Sequence, residues 1–295
     1  MQDGLSVPKW LFSHNRYSLV HKGLYCCTKH FIFHVNTVLS GKIQLNRIIT
    51  LFNQSGGVGK SSLAMNLAYH LQELKNQVLL IDMDPQGSLT TFMGLDPTSL
   101  KQTIYDAILH SSPLPIHSKI HGVDLVPANI NLSAAELELV MADMRDIRLK
   151  DALEPVINQY DFILIDCPPS LGLLSYISLV AATHVLVPIQ TQYKAFCGTE
   201  LLLSTVARVR SRPNRKLAIA GFIPTMYDGR NVQDARTLEA IQQQLAKVGV
   251  VYPAIPRSTA FADASEDHVP LAVYNRKNPA VPILKQIAKS LEKLS

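Results

Sequence analysis

Cysteine is scarce in this sequence, with Cys26, Cys27, Cys167 and Cys197 the only four in 295 residues. No pair has zinc-ligand spacing and vicinal cysteines rarely bridge each other, so neither a zinc site nor a disulfide framework is signalled and reduced thiols of a cytosolic protein are expected. Long apolar runs are also missing: none approaches the roughly 20 residues that a membrane-spanning helix needs. Acid is absent from one stretch altogether, with no Asp or Glu between Asp3 and Glu73. That gap explains the net charge of +5, because residues 1–47 hold six Lys/Arg against one acid while residues 48–295 hold 22 of each. A charge-balanced body excludes nucleic-acid binding through bulk charge. Any such footprint must come from local clusters.

Residues 1–46 read as an N-terminal extension. They mix Trp10, Phe12, Tyr17, Tyr25, Phe31 and Phe33 with scattered His and Lys, and they have neither helical nor strand periodicity. Three readings stay open for them: translated sequence upstream of the true start, an organelle transit peptide, or a basic arm that touches DNA or another acidic surface. No methionine lies between Met1 and Met65, so the first reading requires a non-ATG start.

From Ile48 onward the pattern alternates. Strand-like runs cover 48–53, 77–82, 123–127, 161–166, 184–189, 217–224 and 250–255. Helix-like stretches cover 60–74, 100–109, 133–140, 147–158, 171–181, 195–210, 231–247 and 279–294. Runs such as Val78-Leu79-Leu80-Ile81 and Phe162-Ile163-Leu164-Ile165 are apolar at every position, as strands of a parallel sheet covered on both faces are. The alternation predicts an α/β fold with a doubly wound, mostly parallel sheet and helices on both faces. With no internal repeat and no long linker, 47–295 reads as one domain.

The chemistry begins at Gly56-Gly57-Val58-Gly59-Lys60-Ser61-Ser62, which follows the apolar run Ile48–Phe52. Such a loop points successive backbone N–H groups at phosphate oxygens at a helix N-terminus. The glycines permit tight turns and close approach. Lys60 is placed to reach the β- and γ-phosphates of a nucleoside triphosphate, and the Ser61 hydroxyl to ligate Mg²⁺. Three carboxylates stand at the ends of later strand-like runs, where open α/β sheets bind ligands. Asp166 suits the metal, Asp84 suits the attacking water, and Asp82, still on its strand, suits support from behind. Each alone could equally be a helix cap or a surface carboxylate. Their common placement beside the loop argues for the site.

Three segments together, Asn53 to Ser61, Asp82-Met83-Asp84-Pro85-Gln86-Gly87 and Asp166-Cys167-Pro168-Pro169-Ser170-Leu171-Gly172, resemble the ParA/MinD family of deviant Walker ATPases (P-loop NTPases). Pro188 to Tyr193, Gly221 to Arg230 and Ile255-Pro256-Arg257 extend the resemblance over about residues 47–294. It implies a cytoplasmic ATPase with ATP and Mg²⁺ as cofactors. Such an enzyme would close as a homodimer around ATP, bind DNA non-specifically on the nucleoid, and be released when an adaptor protein stimulates hydrolysis. The cargo positioned or segregated would be a plasmid, a chromosome or a carboxysome. By the same resemblance Asp228, Pro256 and Arg257 would lie near the adenine.

Ser55 departs from the family, which usually has lysine there, reaching across the dimer to the partner's phosphates. A cation supplied in trans can be worth about 10³–10⁵ in rate, or roughly 4–7 kcal/mol of barrier. Serine cannot supply it. The chain is then a slow switch, a segregation ATPase that tolerates the loss, or a protein with another lysine in the role. The last case resembles the carboxysome-positioning branch (McdA), and it makes Lys150 the candidate.

Cations cluster in two places. Arg208, Arg210, Arg212, Arg215 and Lys216 fall within nine residues. Lys285, Lys289 and Lys293 recur every four residues, along one side of a last helix whose apolar stripe is Leu284, Ile287, Leu291 and Leu294. Either group could neutralise phosphates without reading sequence. Solvated lysines that complement a helix dipole are the plain alternative for the second. Two rival functions remain: a membrane-surface switch of the MinD kind, and a metabolic ATP-dependent ligase on the same scaffold.

Overall fold

A computed structural model of the chain describes residues 46–192, 194 and 198–294. The expectations for residues 1–45, which include Cys26 and Cys27, and for Cys197 lie outside them. The strands are β1 (Arg47–Leu51), β2 (Val78–Asp82), β3 (His117–Ile120), β4 (Val123–Val126), β5 (Phe162–Asp166), β6 (His184–Gln190) and β7 (Ala218–Thr225). They form one sheet in the order β3-β4-β2-β5-β1-β6-β7. Every pairing is parallel except β3 with β4.

The helices are α1 (Lys60–Glu73), α2 (Ser88–Phe92), α3 (Ile104–His110), α4 (Leu132–Val140), α5 (Arg148–Leu153), α6 (Leu173–Ala181), α7 (Thr199–Ser211), α8 (Val232–Leu245), α9 (Ala260–Glu266), α10 (Leu271–Tyr274) and α11 (Ala280–Leu291). They cover both faces, and the strand residues show why. On β1 and just beyond it, Ile48 and Phe52 enter one core while Ile49 and Leu51 enter the other. On β5, Ile163 and Ile165 go one way, Phe162 and Leu164 the other. The period of 2 puts alternate side chains on opposite faces. Because both faces are apolar, both must be covered. Helices α3 to α8 pack on the first face, and α1, α2 and α9 to α11 on the second. In α11 the stripe Leu284, Ile287 and Leu291 is buried as expected. Full burial of each such side chain stabilises by roughly 1.5–3 kcal/mol.

Two expectations fail for reasons of proline chemistry. The run 250–255 is not a strand: it lies along β7 and makes a single isolated bridge, Phe222 with Val251, and a second follows just beyond it, Tyr227 with Pro256. Pro253 and Pro256 have no N–H to give to a ladder. The helix expected over 147–158 stops at Leu153, before Pro155, and a short 3₁₀ turn follows at Ile157–Gln159. The antiparallel β3 and the short helices α2, α9 and α10 lacked enough residues to show a period.

The topology brings the chemistry to one edge of the sheet. In the parallel register Asp166 lies beside Leu51 of β1 on one side and Asp82 of β2 on the other. All three strands therefore end together, and the glycine-rich loop leaves β1 at that edge.

Candidate active site

The loop between β1 and α1 is fixed by side chains from several directions. Asn53 donates from Nδ2 to the Pro188 carbonyl at 2.6 Å and accepts the Ser55 N–H at 2.9 Å. From the far side, the buried Thr225 hydroxyl at the end of β7 donates to the Val58 carbonyl at 3.0 Å. Gly57 and Gly59 hold φ of +70° and +90°, and a Cβ on either would meet nothing within 4 Å. Glycine is required there by backbone conformation, since the space beside both residues is open. Helix α1 starts at Lys60 with no side-chain cap and no acid in its first turn. Its first N–H groups and the positive end of its dipole are thus available to an anion.

Lys60 is buried, and its Nζ donates to the carbonyl oxygens of Asn53 at 3.0 Å and Ser55 at 3.1 Å. An ammonium has three donors, so one is left for a ligand. Burial lowers its pKa, opposed by the negative charges of Asp166 and Asp84.

Asp166 is fully buried, and neither of its carboxylate oxygens is satisfied: the Ser61 hydroxyl stands beside it without making a full hydrogen bond. Burial pushes its pKa well above the usual carboxylate range, the neighbouring Asp82 charge adds to this, and the Ser61 hydroxyl and Lys60 charge pull back only in part. An ionised carboxylate left so would cost a few kcal/mol, whereas a cation beside it would remove the cost. A hard divalent cation such as Mg²⁺, which takes few protein oxygens and keeps phosphate and water ligands, fits this donor set. Among the described residues no group of three or more His, Cys, Asp or Glu could form a closed metal cage.

Asp84 is placed differently. Its Oδ1 accepts the Gln86 N–H at 3.0 Å, and no described residue bonds its other oxygen. Burial raises its pKa while the Gln86 bond and Lys60 lower it. Asp82 is wholly buried, accepts three hydrogen bonds, and is still pushed up to about 6 by burial.

Next to the loop, a cavity of about 140 Å³ is walled by Val58, Leu63, Met226, Ile255 and Phe261, with Ser62, Pro256 and Arg257 also lining it. Its lining is mostly apolar, as a flat heterocycle requires. Asp228 does not line it. That carboxylate is gripped at both oxygens by Arg230, 3.0 Å each, and faces a second cavity shared with Arg257, Asn231 and Asp234. The Arg230 contacts hold the Asp228 pKa down to about 2.

The remaining candidates lie elsewhere. Lys150 is exposed on α5. Just before it, Asp146 accepts the Tyr176 hydroxyl at 3.4 Å, which ties this stretch to α6, the helix that follows Asp166. Arg208, Arg210, Arg212, Arg215 and Lys216 are all exposed at the end of α7 and its loop. Lys285 and Lys289 are exposed on α11, and Lys285 reaches Glu73 at 3.8 Å. Sequence reasoning gave no role to Phe261 or Thr90, and named Thr225 and Met226 only as part of the stretch Gly221 to Arg230; their contacts lie more than 20 residues away or in a helix too short to show a pattern.

A strand, a glycine-rich turn, a helix N-terminus, a buried lysine and a buried, unsatisfied strand-end carboxylate define a P-loop nucleoside triphosphatase. Comparison with known proteins agrees. Residues 46–219 match the family described as AAA domain. Chromosome partitioning protein ParA of Myxococcus xanthus is 36% identical over 256 residues, 86% of this chain and 90% of that protein. Cobyrinic acid a,c-diamide synthase of Mycobacterium smegmatis, solved with an ATP analog and magnesium, is 32% identical, with a TM-score of 0.76 over 84% of this chain and 94% of that one. An McdA variant of Cyanothece in complex with ATP has a TM-score of 0.75 at 23% identity, over 84% and 97%, a likeness of fold alone. The chain belongs to the ParA/MinD family of deviant Walker ATPases. Among the described residues no helix is long and apolar enough to cross a membrane.

Proposed function

We propose that residues 47–295 form an ATP-dependent switch. It closes as a homodimer with ATP between the protomers, binds DNA without reading sequence, and is reset when an adaptor protein stimulates hydrolysis. The observation that carries the ATP–Mg²⁺ site is the buried, unsatisfied Asp166 carboxylate beside Ser61 and Lys60. Gly56 to Ser62 cradle the phosphates with their N–H groups, and Lys60 gives its remaining donor to the β- and γ-phosphates. Ser61 and Asp166 hold Mg²⁺, which when bound supplies charge that neutralises the phosphate oxygens. The free oxygen of Asp84 orients the attacking water. The apolar cavity with Pro256 and Arg257 takes the adenine, with Asp228 in the adjoining cavity.

Ser55 leaves the trans cation unassigned, and Lys150 supplies it in this reading. Support for the partition role comes from the relationship to chromosome partitioning protein ParA. For DNA it comes from five exposed cations at the end of α7. The protein then works in the cytoplasm, on the nucleoid when ATP-bound, and the stimulating adaptor names the cargo.

The test is threefold: light scattering with and without ATP for dimer formation, DNA binding across salt, and hydrolysis with DNA and candidate adaptors. Dimers that form only with ATP, and binding to any duplex that weakens as salt rises, are expected. The relationship to cobyrinic acid a,c-diamide synthase gives the ligase reading a definite form. Hydrolysis that requires a carboxylate acceptor and ignores DNA would replace our reading with that one.

A further inference from the structure

Thr90, on the short helix α2, is buried and lies eight residues beyond Asp82 in sequence. Its hydroxyl donates to Asp82 Oδ2 at 2.8 Å and accepts the Ala128 N–H at 2.9 Å. Its own N–H donates to the same Asp82 oxygen, also at 2.8 Å. The other oxygen of Asp82, Oδ1, accepts the Asp84 N–H at 3.0 Å.

These bonds have a geometric consequence. A carboxylate bonded at one oxygen can still swing about its last torsion, because that torsion is broad. Two donors from one residue on Oδ2 remove the freedom and leave Oδ1 aimed at the Asp84 N–H. The turn is then closed by Asp84 itself, whose carbonyl accepts the Gly87 N–H at 2.9 Å and whose Oδ1 accepts the Gln86 N–H at 3.0 Å. What remains of Asp84 is a single oxygen with a fixed direction. Ala128 anchors the Thr90 hydroxyl in turn, so the chain of bonds starts from the segment after β4 and ends at the reacting edge.

We propose that Thr90 is a positioning residue for hydrolysis: through Asp82 it sets the direction in which Asp84 presents its free oxygen to water. The proposal rests on the reading of Asp84 as the water-orienting group. A merely structural threonine is the plain alternative, since a buried hydroxyl that satisfies a buried carboxylate also stabilises a fold. The two differ in what they predict. Nucleotide affinity comes from the loop and α1, which Thr90 does not hydrogen-bond, so a positioning role alters turnover and leaves binding alone.

The experiment uses the full chain and compares Thr90→Ser, which keeps the hydroxyl, with Thr90→Val, which keeps the shape without it. Binding of a fluorescent ATP analogue, kcat and KM for ATP, and Tm are measured for each. Thr90→Val is expected to lower kcat on the order of tenfold or more, within the range that misplacing a catalytic group costs. Its ATP affinity should stay within about twofold of wild type, and Thr90→Ser should restore kcat, because affinity and turnover respond to different interactions. If Thr90→Val does not fold, Thr90→Ala, which keeps the N–H to Asp82, takes its place with the same expected split. Wild-type kcat in the folded hydroxyl-less variant overturns the proposal. So does parallel loss of affinity and kcat that Thr90→Ser fails to rescue. A wild-type protein that hydrolyses no ATP, or an Asp84→Ala protein that hydrolyses it normally, overturns the underlying reading and this proposal with it.

Discussion

The Lys60 ammonium is bound through the main chain of Ser55, whose carbonyl oxygen accepts from Nζ at 3.1 Å. The Ser55 side chain makes no hydrogen bond to any described residue, so the identity of residue 55 is free of structural duty toward Lys60. Ser55→Lys should therefore change stability by no more than about 0.5 kcal/mol, as surface substitutions do. Its catalytic effect is the informative part. In the wild-type background Lys150→Ala should lower adaptor-stimulated hydrolysis by about 10³, the low end for a trans cation. In the Ser55→Lys background the same change should cost little. A double-mutant cycle on kcat reads the difference, and equal losses in both backgrounds would remove Lys150 from the site.

Asp166→Asn should show stability and activity moving in opposite directions. The carboxyl is buried and unsatisfied, with its ionised form disfavoured, and an isosteric amide, which cannot ionise, relieves a desolvation cost of up to about 1–3 kcal/mol. The nucleotide-free variant should melt higher than wild type while its Mg²⁺-dependent hydrolysis falls sharply. Melting curves without nucleotide and a magnesium titration of activity check the two halves independently.

His70 sets an acid limit on stability. It is buried on α1, its Nδ1 meets Glu73 at 2.8 Å, and its Nε2 is buried without a partner. Burial lowers its pKa, only partly offset by the Glu73 hydrogen bond and charge, and the Lys285 charge lowers it further. A folded-state pKa below the unfolded value means that this stabilising contribution is complete above about pH 6.5 and lost as pH falls from there through the folded value. Denaturant midpoints measured from about pH 7 down to about pH 5 should fall more steeply for wild type than for His70→Gln, whose side chain cannot titrate.

Cys167 should be silent to thiol reagents in the native protein. It is fully buried after β5, and burial pushes its thiol up to about 12. Thiolate, not thiol, is the nucleophile. Alkylation followed by peptide mass mapping should leave Cys167 unmodified near neutral pH and label it once denaturant is added.

For DNA, the two cation groups should separate. Lys285 spends part of its charge on Glu73, whereas Arg208, Arg210, Arg212, Arg215 and Lys216 make no ion pair with any described residue. Replacing the four arginines by alanine should reduce the slope of log K against log salt by roughly 3–4, at about 0.9 per phosphate neutralised. Lys285→Ala with Lys289→Ala should change it less. Filter binding over a salt series decides between them.

Much of this was legible in the sequence because it follows from local pattern. The apolar runs of β2 and β5 required cover on both faces, and Gly56 to Ser62 could be placed at a helix start from spacing alone. Less legible were interactions that only topology creates. Nothing about Thr90 in sequence says that it closes on Asp82, and nothing about Asp228 says that Arg230 occupies it instead of the apolar cavity. Proline 253 and 256 were visible, but a strand expectation drawn from apolar residues over 250–255 gave them too little weight against the loss of ladder donors.

That interrupted segment has a consequence for crowding. Lying along β7 with Phe222, Pro224 and Tyr227 as its hydrogen-bonding neighbours, it covers a row of backbone groups that another chain could otherwise join. On the proposed reading, protein gathered on a shared DNA surface would meet its own copies at high local concentration. There, a bare β7 would invite chains to zip into insoluble ribbons. With that flank taken by a proline-bearing stretch of the same molecule, β7 has fewer open backbone groups to offer a neighbouring copy.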